Sequence, residues 1–157
     1  MMSKTKWKPL IISLLISLGV GLLSGFLTRN NINEFNMLNK PPLTPPATIF
    51  PVVWIILYIL MGISAYLVYT SNSEYRQKAL NIYIVQLFFN FIWSIIFFGL
   101  ELRLLAFIWL IVLWILIINM IYVFKKVNPV AAYLQIPYLL WVTFAGYLNY
   151  MIYLLNK

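Results

Sequence analysis

The sequence predicts an all-α membrane protein, a bundle of five transmembrane helices with a long loop between the first two. Three observations carry this. The chain of 157 residues is 64% hydrophobic and only 9% charged, whereas charged residues alone fill about a quarter of a soluble domain. Its mean hydropathy is +0.92. Five apolar runs reach the roughly 20 residues that a helix needs to cross hydrocarbon, at about 9–28, 48–70, 79–100, 104–124 and 129–155. A single five-helix domain spanning 1–157 is expected, with residues 29–47 as a lid loop.

Charge placement supports the same class. The formal charge is +8, but the basic residues sit at helix ends rather than along one face, which is the pattern of membrane flanks and not of a nucleic-acid surface. With the N-terminus inside, inner segments carry Lys4, Lys6, Lys8, Arg76, Lys78, Lys125 and Lys126, and outer ones Arg29, Lys40, Arg103 and Lys157. The excess favours N-inside and C-outside, with the lid on the outer side. The apolar region Pro9–Leu27 exceeds the usual 7–15 residues or so of a signal peptide core and lacks an A-x-A site, so it reads as a mature helix.

The chain has no cysteine and no histidine. That inventory excludes disulfides, thiolate nucleophiles, and Cys or His metal ligands and bases. Acidic residues are limited to Glu34, Glu74 and Glu101, all expected outside hydrocarbon. No metal site, obligatory cofactor or buried carboxylate relay is predicted, nor is any standard nucleotide-binding or hydrolase motif present.

In the first helix, Ser13, Ser17, Gly21 and Gly25 recur every four residues. Such a small-residue stripe admits a neighbouring helix, a second copy of the chain, or a flat ligand near Gly25. In the loop, Phe35, Met37 and Leu38 predict a short amphipathic piece that packs back on the bundle. Pro41, Pro42, Pro45 and Pro46 then fix φ and remove donors, predicting a stiff, extended lid that ends with Thr44 as N-cap and Pro45 as first residue of the second helix.

The second helix sets Trp54, Tyr58, Met61 and Ala65 on one face, with Pro51 in its first turns. The third carries Gln86, Asn90 and Ser94 at four-residue steps beside Trp93 and Phe97. A carboxamide in hydrocarbon needs a partner, either another helix or a ligand in an aromatic-walled pocket. The fourth helix contributes Trp109, Trp114 and Asn119, where the indoles suit packing or an interfacial belt. Asn128 and Pro129 predict the cap and first position of the fifth helix, and Pro137 should free the Tyr133 carbonyl and kink it. Beyond the kink, Tyr138, Trp141, Ala145 and Asn149 share a face. Leu148, Tyr153 and Lys157 fit a cholesterol pattern of low specificity.

Lys40-Pro41-Pro42-x-Thr44-Pro45-Pro46, Phe50-Pro51-x-x-Trp54-x-x-Leu57-Tyr58-x-x-Met61-Gly62, Gln86-x-x-x-Asn90-x-x-Trp93-Ser94 and Pro137-Tyr138-x-x-Trp141-x-x-x-Ala145-x-x-Leu148-Asn149 together resemble the tryptophan-rich sensory protein family, also called translocator protein or peripheral-type benzodiazepine receptor. The resemblance implies a five-helix membrane fold, often a homodimer, with a cavity beneath the first loop. It implies porphyrin ligands such as protoporphyrin IX and haem, isoquinoline carboxamide and benzodiazepine-type drugs, and, in eukaryotic members, cholesterol. By position, it places the lid prolines, Trp54, Tyr58, Asn90, Trp93, Phe97, Trp141 and Ala145 around that cavity; Gly25, Thr44, Gln86 and Tyr138 complete the candidate set.

Trp54 and Trp141 resemble tryptophans implicated in light-dependent porphyrin breakdown. Phe35 and Leu43 stand where the family commonly has an aromatic, often Trp. The tail after Tyr153 is short and lacks the arginine of the eukaryotic sterol motif, and the Ile-, Asn- and Lys-rich composition resembles a bacterial cell-membrane protein. The resemblance thus implies a membrane-embedded porphyrin-binding sensor, a macrocycle held between Trp54 and Trp141 with its carboxylates near Arg29 or Lys40. The alternatives are a porphyrin photo-oxidising enzyme using those two tryptophans, or a transporter, for which inverted repeats and paired broken helices are lacking.

Overall fold

The computed structural model describes residues 4–157, and every regular element among them is helical. Helix α1 (Trp7–Thr28) runs through a 3-10 turn at Arg29–Asn31 into the short α2 (Ile32–Asn36). After the rest of the loop come α3 (Ile49–Tyr69) and α4 (Arg76–Ser94), which ends in a wide π turn, Ile95–Gly99. Then follow α5 (Arg103–Val127), α6 (Pro129–Tyr133) and α7 (Ile136–Leu155). Five helical runs are long and apolar enough to cross a membrane: Trp7–Asn36, Ile49–Tyr69, Arg76–Gly99, Arg103–Val127 and Pro129–Leu155.

Helix α1 is inverted relative to a helix of a soluble protein. Its buried residues are Ser17, Ser24 and Thr28, while Leu15 and Leu22 lie outside, 66% and 69% exposed. Lipid tails solvate leucine as well as a core does, so burial goes instead to small residues that let backbones approach. Ser13 Oγ donates to the Gly62 carbonyl at 2.6 Å, and Ser17 Oγ donates to the Tyr58 carbonyl at 2.7 Å. Gly21 meets the Tyr58 ring so closely that a Cβ there would lie 2.5 Å from it. The stripe faces α3, and three of its four positions are spent on that contact rather than on a second copy of the chain.

Two expected features differ. The segment 41–46 is not extended throughout: Pro41 to Thr44 form a turn, closed by Thr44 N–H to the Pro41 carbonyl at 3.1 Å and by Thr44 Oγ1 to the same oxygen at 2.8 Å. Pro42, with φ preset, suits the second position of that turn. The Thr44 side chain therefore bonds backward, and α3 begins at Ile49 rather than at Pro45. The fifth run is likewise two helices, not one kinked helix. Asn128 caps α6 as expected, its Oδ1 accepting from Val130 N at 2.9 Å. The helix stops at Leu134–Gln135, which leaves Pro137 in the first turn of α7, where a missing N–H costs little.

The loop is held down at two points. Phe35 is buried edge-on against Phe97 and Phe98, with ring centroids 5.9 and 5.2 Å away, so the apolar piece packs back as its composition suggests. Asn39 N–H donates to Asn156 Oδ1 at 3.0 Å, and Asn156 Nδ2 donates to the Asn39 carbonyl at 2.8 Å. That pair ties the loop to the end of α7.

Candidate functional site

Beneath the loop lies a cavity of about 790 Å³, walled by α1, α2, α3, the π turn of α4 and α7. Its geometry follows from the α1–α3 contact. The two helices are joined at Ser13, Ser17 and Gly21, but at Gly25 a Cβ would meet nothing within 4 Å. The fourth position of the stripe thus faces open space and forms part of the wall. Leu22, Phe26 and Ile55 border the cavity here while remaining 69%, 56% and 48% exposed.

The wall is largely aromatic, with Trp54 at its centre. Trp54 stacks on Tyr58 with centroids 5.7 Å apart, lies 6.4 Å from Trp93, and meets Trp141 edge-on at 6.5 Å and 89°. Trp93 stacks on Phe97 at 5.3 Å. Because Trp54 and Trp141 touch each other perpendicularly, no parallel slot separates them. The expected sandwich between these two rings is replaced by an L-shaped corner, whose faces can receive one side and one edge of a flat molecule.

Of the sequence candidates, Gly25, Thr44, Trp54, Tyr58, Trp93, Phe97, Trp141 and Ala145 border the cavity. Pro41, Pro42, Pro45 and Pro46 do not, because the turn at 41–44 carries them along the loop; of the proline cluster and its neighbour, Pro51 in α3 is the one on the wall. Gln86, Asn90 and Tyr138 lie behind the wall. Tyr58 Oη donates to Asn90 Oδ1 at 2.5 Å, Asn90 Nδ2 donates to Tyr138 Oη at 2.8 Å, and Tyr138 Oη donates to Gln86 Oε1 at 2.7 Å. All four side chains are nearly or fully buried, so this polar stripe is spent on joining α3, α4 and α7.

Sequence reasoning missed Phe50, Phe98 and Asn149 as wall residues, whereas Ser94, a member of the polar stripe it offered to a pocket, does border the cavity. Phe97 and Phe98 are neighbours within the π turn that ends α4, and both border the cavity. Asn149 was legible only as a member of a helix face. In the fold its Oδ1 accepts from Trp93 Nε1 at 3.1 Å, and its Nδ2 donates to the Arg103 carbonyl at 2.8 Å.

No charged side chain borders the cavity among the described residues. Three cations instead stand against wall rings: Arg29 over Phe26 at 3.9 Å, Lys40 over Phe35 at 4.9 Å and Arg103 over Phe97 at 5.6 Å. Lys40 Nζ also donates to the Asn36 and Leu38 carbonyls, whereas Arg103 Nε is buried with no hydrogen-bond partner. Trp141 Nε1 is a second unengaged donor. The described residues contain no cluster of His, Cys, Asp or Glu that could hold a metal. The sterol pattern does not form one surface, since Leu148 is turned into the cavity while Lys157 is exposed.

Comparison with known proteins extends the likeness over nearly the whole chain. A tryptophan-rich protein TspO of Archaeoglobus fulgidus is 35% identical over 149 residues, covering 94% of this chain and 96% of that protein. The tryptophan-rich sensory protein of Cereibacter sphaeroides is 33% identical over 147 residues, 94% of this chain and 91% of its own. The translocator protein of Bos taurus is 33% identical over 156 residues, 96% and 92% respectively. Residues 12–155 match the TspO/MBR family. With five helices apolar enough to span the bilayer, the protein is an integral, multi-pass membrane protein, and it belongs to the TspO/MBR family.

Proposed function

We propose that the protein binds flat, largely apolar molecules of the porphyrin class, such as protoporphyrin IX or haem, in the cavity beneath the loop, and that it serves as a sensor of their level. The observation that carries this is the wall itself: an aromatic corner at Trp54 and Trp141 in a cavity of about 790 Å³, within the roughly 300–1,000 Å³ of small-molecule sites. The cations behind Phe26, Phe35 and Phe97 suit a ligand with an apolar body and an acidic edge. A haem here would be held by ring contacts, because the chain has no His or Cys, no methionine borders the cavity, and the Tyr58 hydroxyl on its wall is already donated to Asn90.

Names of relatives, a sensory protein and a translocator protein, agree with a ligand-binding role. Titration with protoporphyrin IX, read by tryptophan quenching of protein in lipid nanodiscs, tests the site: the Trp54→Ala, Trp141→Ala double variant should lose the high-affinity phase. Unchanged binding would overturn it.

One observation favours a second reading. The Trp54 and Trp141 rings are in contact at the cavity wall, so an electron could pass between them during photo-oxidation of a bound porphyrin. Reactivity would come from the porphyrin, light and oxygen. Illumination that yields no new absorbing product, or the same product from the double variant, excludes this enzyme reading. The protein is assigned to a bacterial cell membrane with the N-terminus inside and the loop outside, which tag accessibility at Lys4 and Lys157 tests.

A further inference from the structure

The hydrogen-bond chain behind the cavity is directional and unfinished. It starts at Tyr58, a wall residue, and each step uses a donor on one helix and an acceptor on the next, until Gln86 Oε1 accepts from Tyr138. Gln86 Nε2 then has no partner. Nor does either side-chain polar atom of Gln135, and the Tyr83 hydroxyl faces the Ser17 hydroxyl of α1 without closing a well-formed bond to it. Gln86 and Gln135 are 0% exposed and Tyr83 is 3% exposed.

Helix register puts these groups at neighbouring levels of the bundle. Tyr83 lies one turn before Gln86 on α4, and Gln135 one turn before Tyr138 on α7. The Tyr138–Gln86 bond sets the level of the two helices, so Tyr83 and Gln135 both fall one turn farther from the loop. One turn farther again, Ser64 of α3 donates to the Ala131 carbonyl at 2.7 Å, so the polar groups at that level are already paired.

We propose that Gln86, Gln135 and Tyr83 enclose a second, polar site that holds ordered water in the half of the bundle away from the loop. An unsatisfied polar group within hydrocarbon costs several kcal/mol, and these residues leave four atoms to satisfy. They are uncharged and mix donors with an acceptor. Water fits that set, because one molecule accepts from Gln86 Nε2 or Tyr83 Oη while donating to Gln135 Oε1. A lone ion fits less well, since none of these three side chains carries a countercharge. The site lies at the α6–α7 break, so the chain of hydrogen bonds runs from the wall of the apolar cavity to a hydrated joint in the fifth spanning segment. This inference does not depend on what the apolar cavity binds.

Hydroxyl-radical footprinting of the protein in lipid nanodiscs, read by mass spectrometry, tests it. Radicals generated from bound water label residues beside it even when these are buried. Tyr83 and Tyr138 should be oxidised several-fold faster, after correction for intrinsic reactivity, than the dry-core residue Leu113, which is 0% exposed. Gln135→Leu should remove that excess without raising the thermal midpoint; Gln135→Met, closer in shape, serves if the leucine variant does not fold. Labelling of Tyr83 and Tyr138 no faster than Leu113 in the unmodified protein would overturn the proposal. So would a Gln135→Leu variant with unchanged labelling, or one with a raised midpoint, the mark of a dry orphan amide relieved.

Discussion

Asn39 and Asn156 stand 117 residues apart and exchange two hydrogen bonds, so that the loop after α2 is fastened to the last turn of α7. Neither bond is deeply buried. Their effect is to hold the cover over the aromatic cavity in one place, together with Phe35 in its cluster of rings.

Asn156→Leu should therefore free the loop rather than unfold the bundle. The two bonds are worth about 0.5–1.5 kcal/mol each at most. Amide exchange at residues 37–48 should quicken, while exchange in α5 stays as it is. Porphyrin dissociation followed by stopped flow should become several-fold faster. An unchanged off-rate would show that the loop is not the barrier to release.

Gly21 and Gly25 have the same side chain and opposite consequences. Gly21→Ala places a methyl against the Tyr58 ring and should cost about 1–3 kcal/mol by overpacking, seen as a lower thermal midpoint. A Cβ at Gly25 meets open space, so Gly25→Leu extends into the cavity that this position borders. It should leave the midpoint nearly unchanged, fill part of the cavity and weaken porphyrin binding at least as much as Trp54→Ala does.

Tyr58→Phe removes the donor to Asn90 and leaves a buried carboxamide oxygen unpaired. An unsatisfied acceptor of this kind costs about 1–3 kcal/mol. The ring that borders the cavity is kept, so stability should fall while ligand affinity changes little. A loss of affinity with stability intact would mean that the hydroxyl serves the ligand instead.

Arg29→Gln and Arg103→Gln test the rim charge. Each cation stands beside a wall ring rather than inside the cavity, and an exposed pairing with a carboxylate is worth roughly 0.2–1 kcal/mol. Affinity for protoporphyrin should fall by that amount per substitution and become less sensitive to salt. The dimethyl ester, which lacks the charges, should bind all these variants alike.

The fold was legible because membrane helices announce themselves locally. Length, hydropathy and flanking charge suffice for five spans, and Asn128 with Pro129 caps α6 as its sequence suggests. The wall was partly legible for a similar reason: Trp54 and Tyr58, or Trp141 and Ala145, share a helix face whatever they pack on. Thr44 shows the limit. Its hydroxyl had two equally local choices, forward to cap a helix or back to the Pro41 carbonyl, and the turn took it.

What the sequence determined by itself was the class, the number of spans, and the residue types that a flat ligand would need. Only tertiary structure decided which polar groups remain free for such a ligand. Tyr58, Asn90, Tyr138 and the Gln86 Oε1 are spent on one another across α3, α4 and α7, and the stripe from Ser13 to Gly25 divides between helix contact and cavity wall at the point where α1 and α3 part. Periodicity fixes the face on which a side chain stands. Whether that face meets a helix, a loop or a void depends on the splay of two distant segments, here set by hydroxyl-to-carbonyl bonds that no local pattern records.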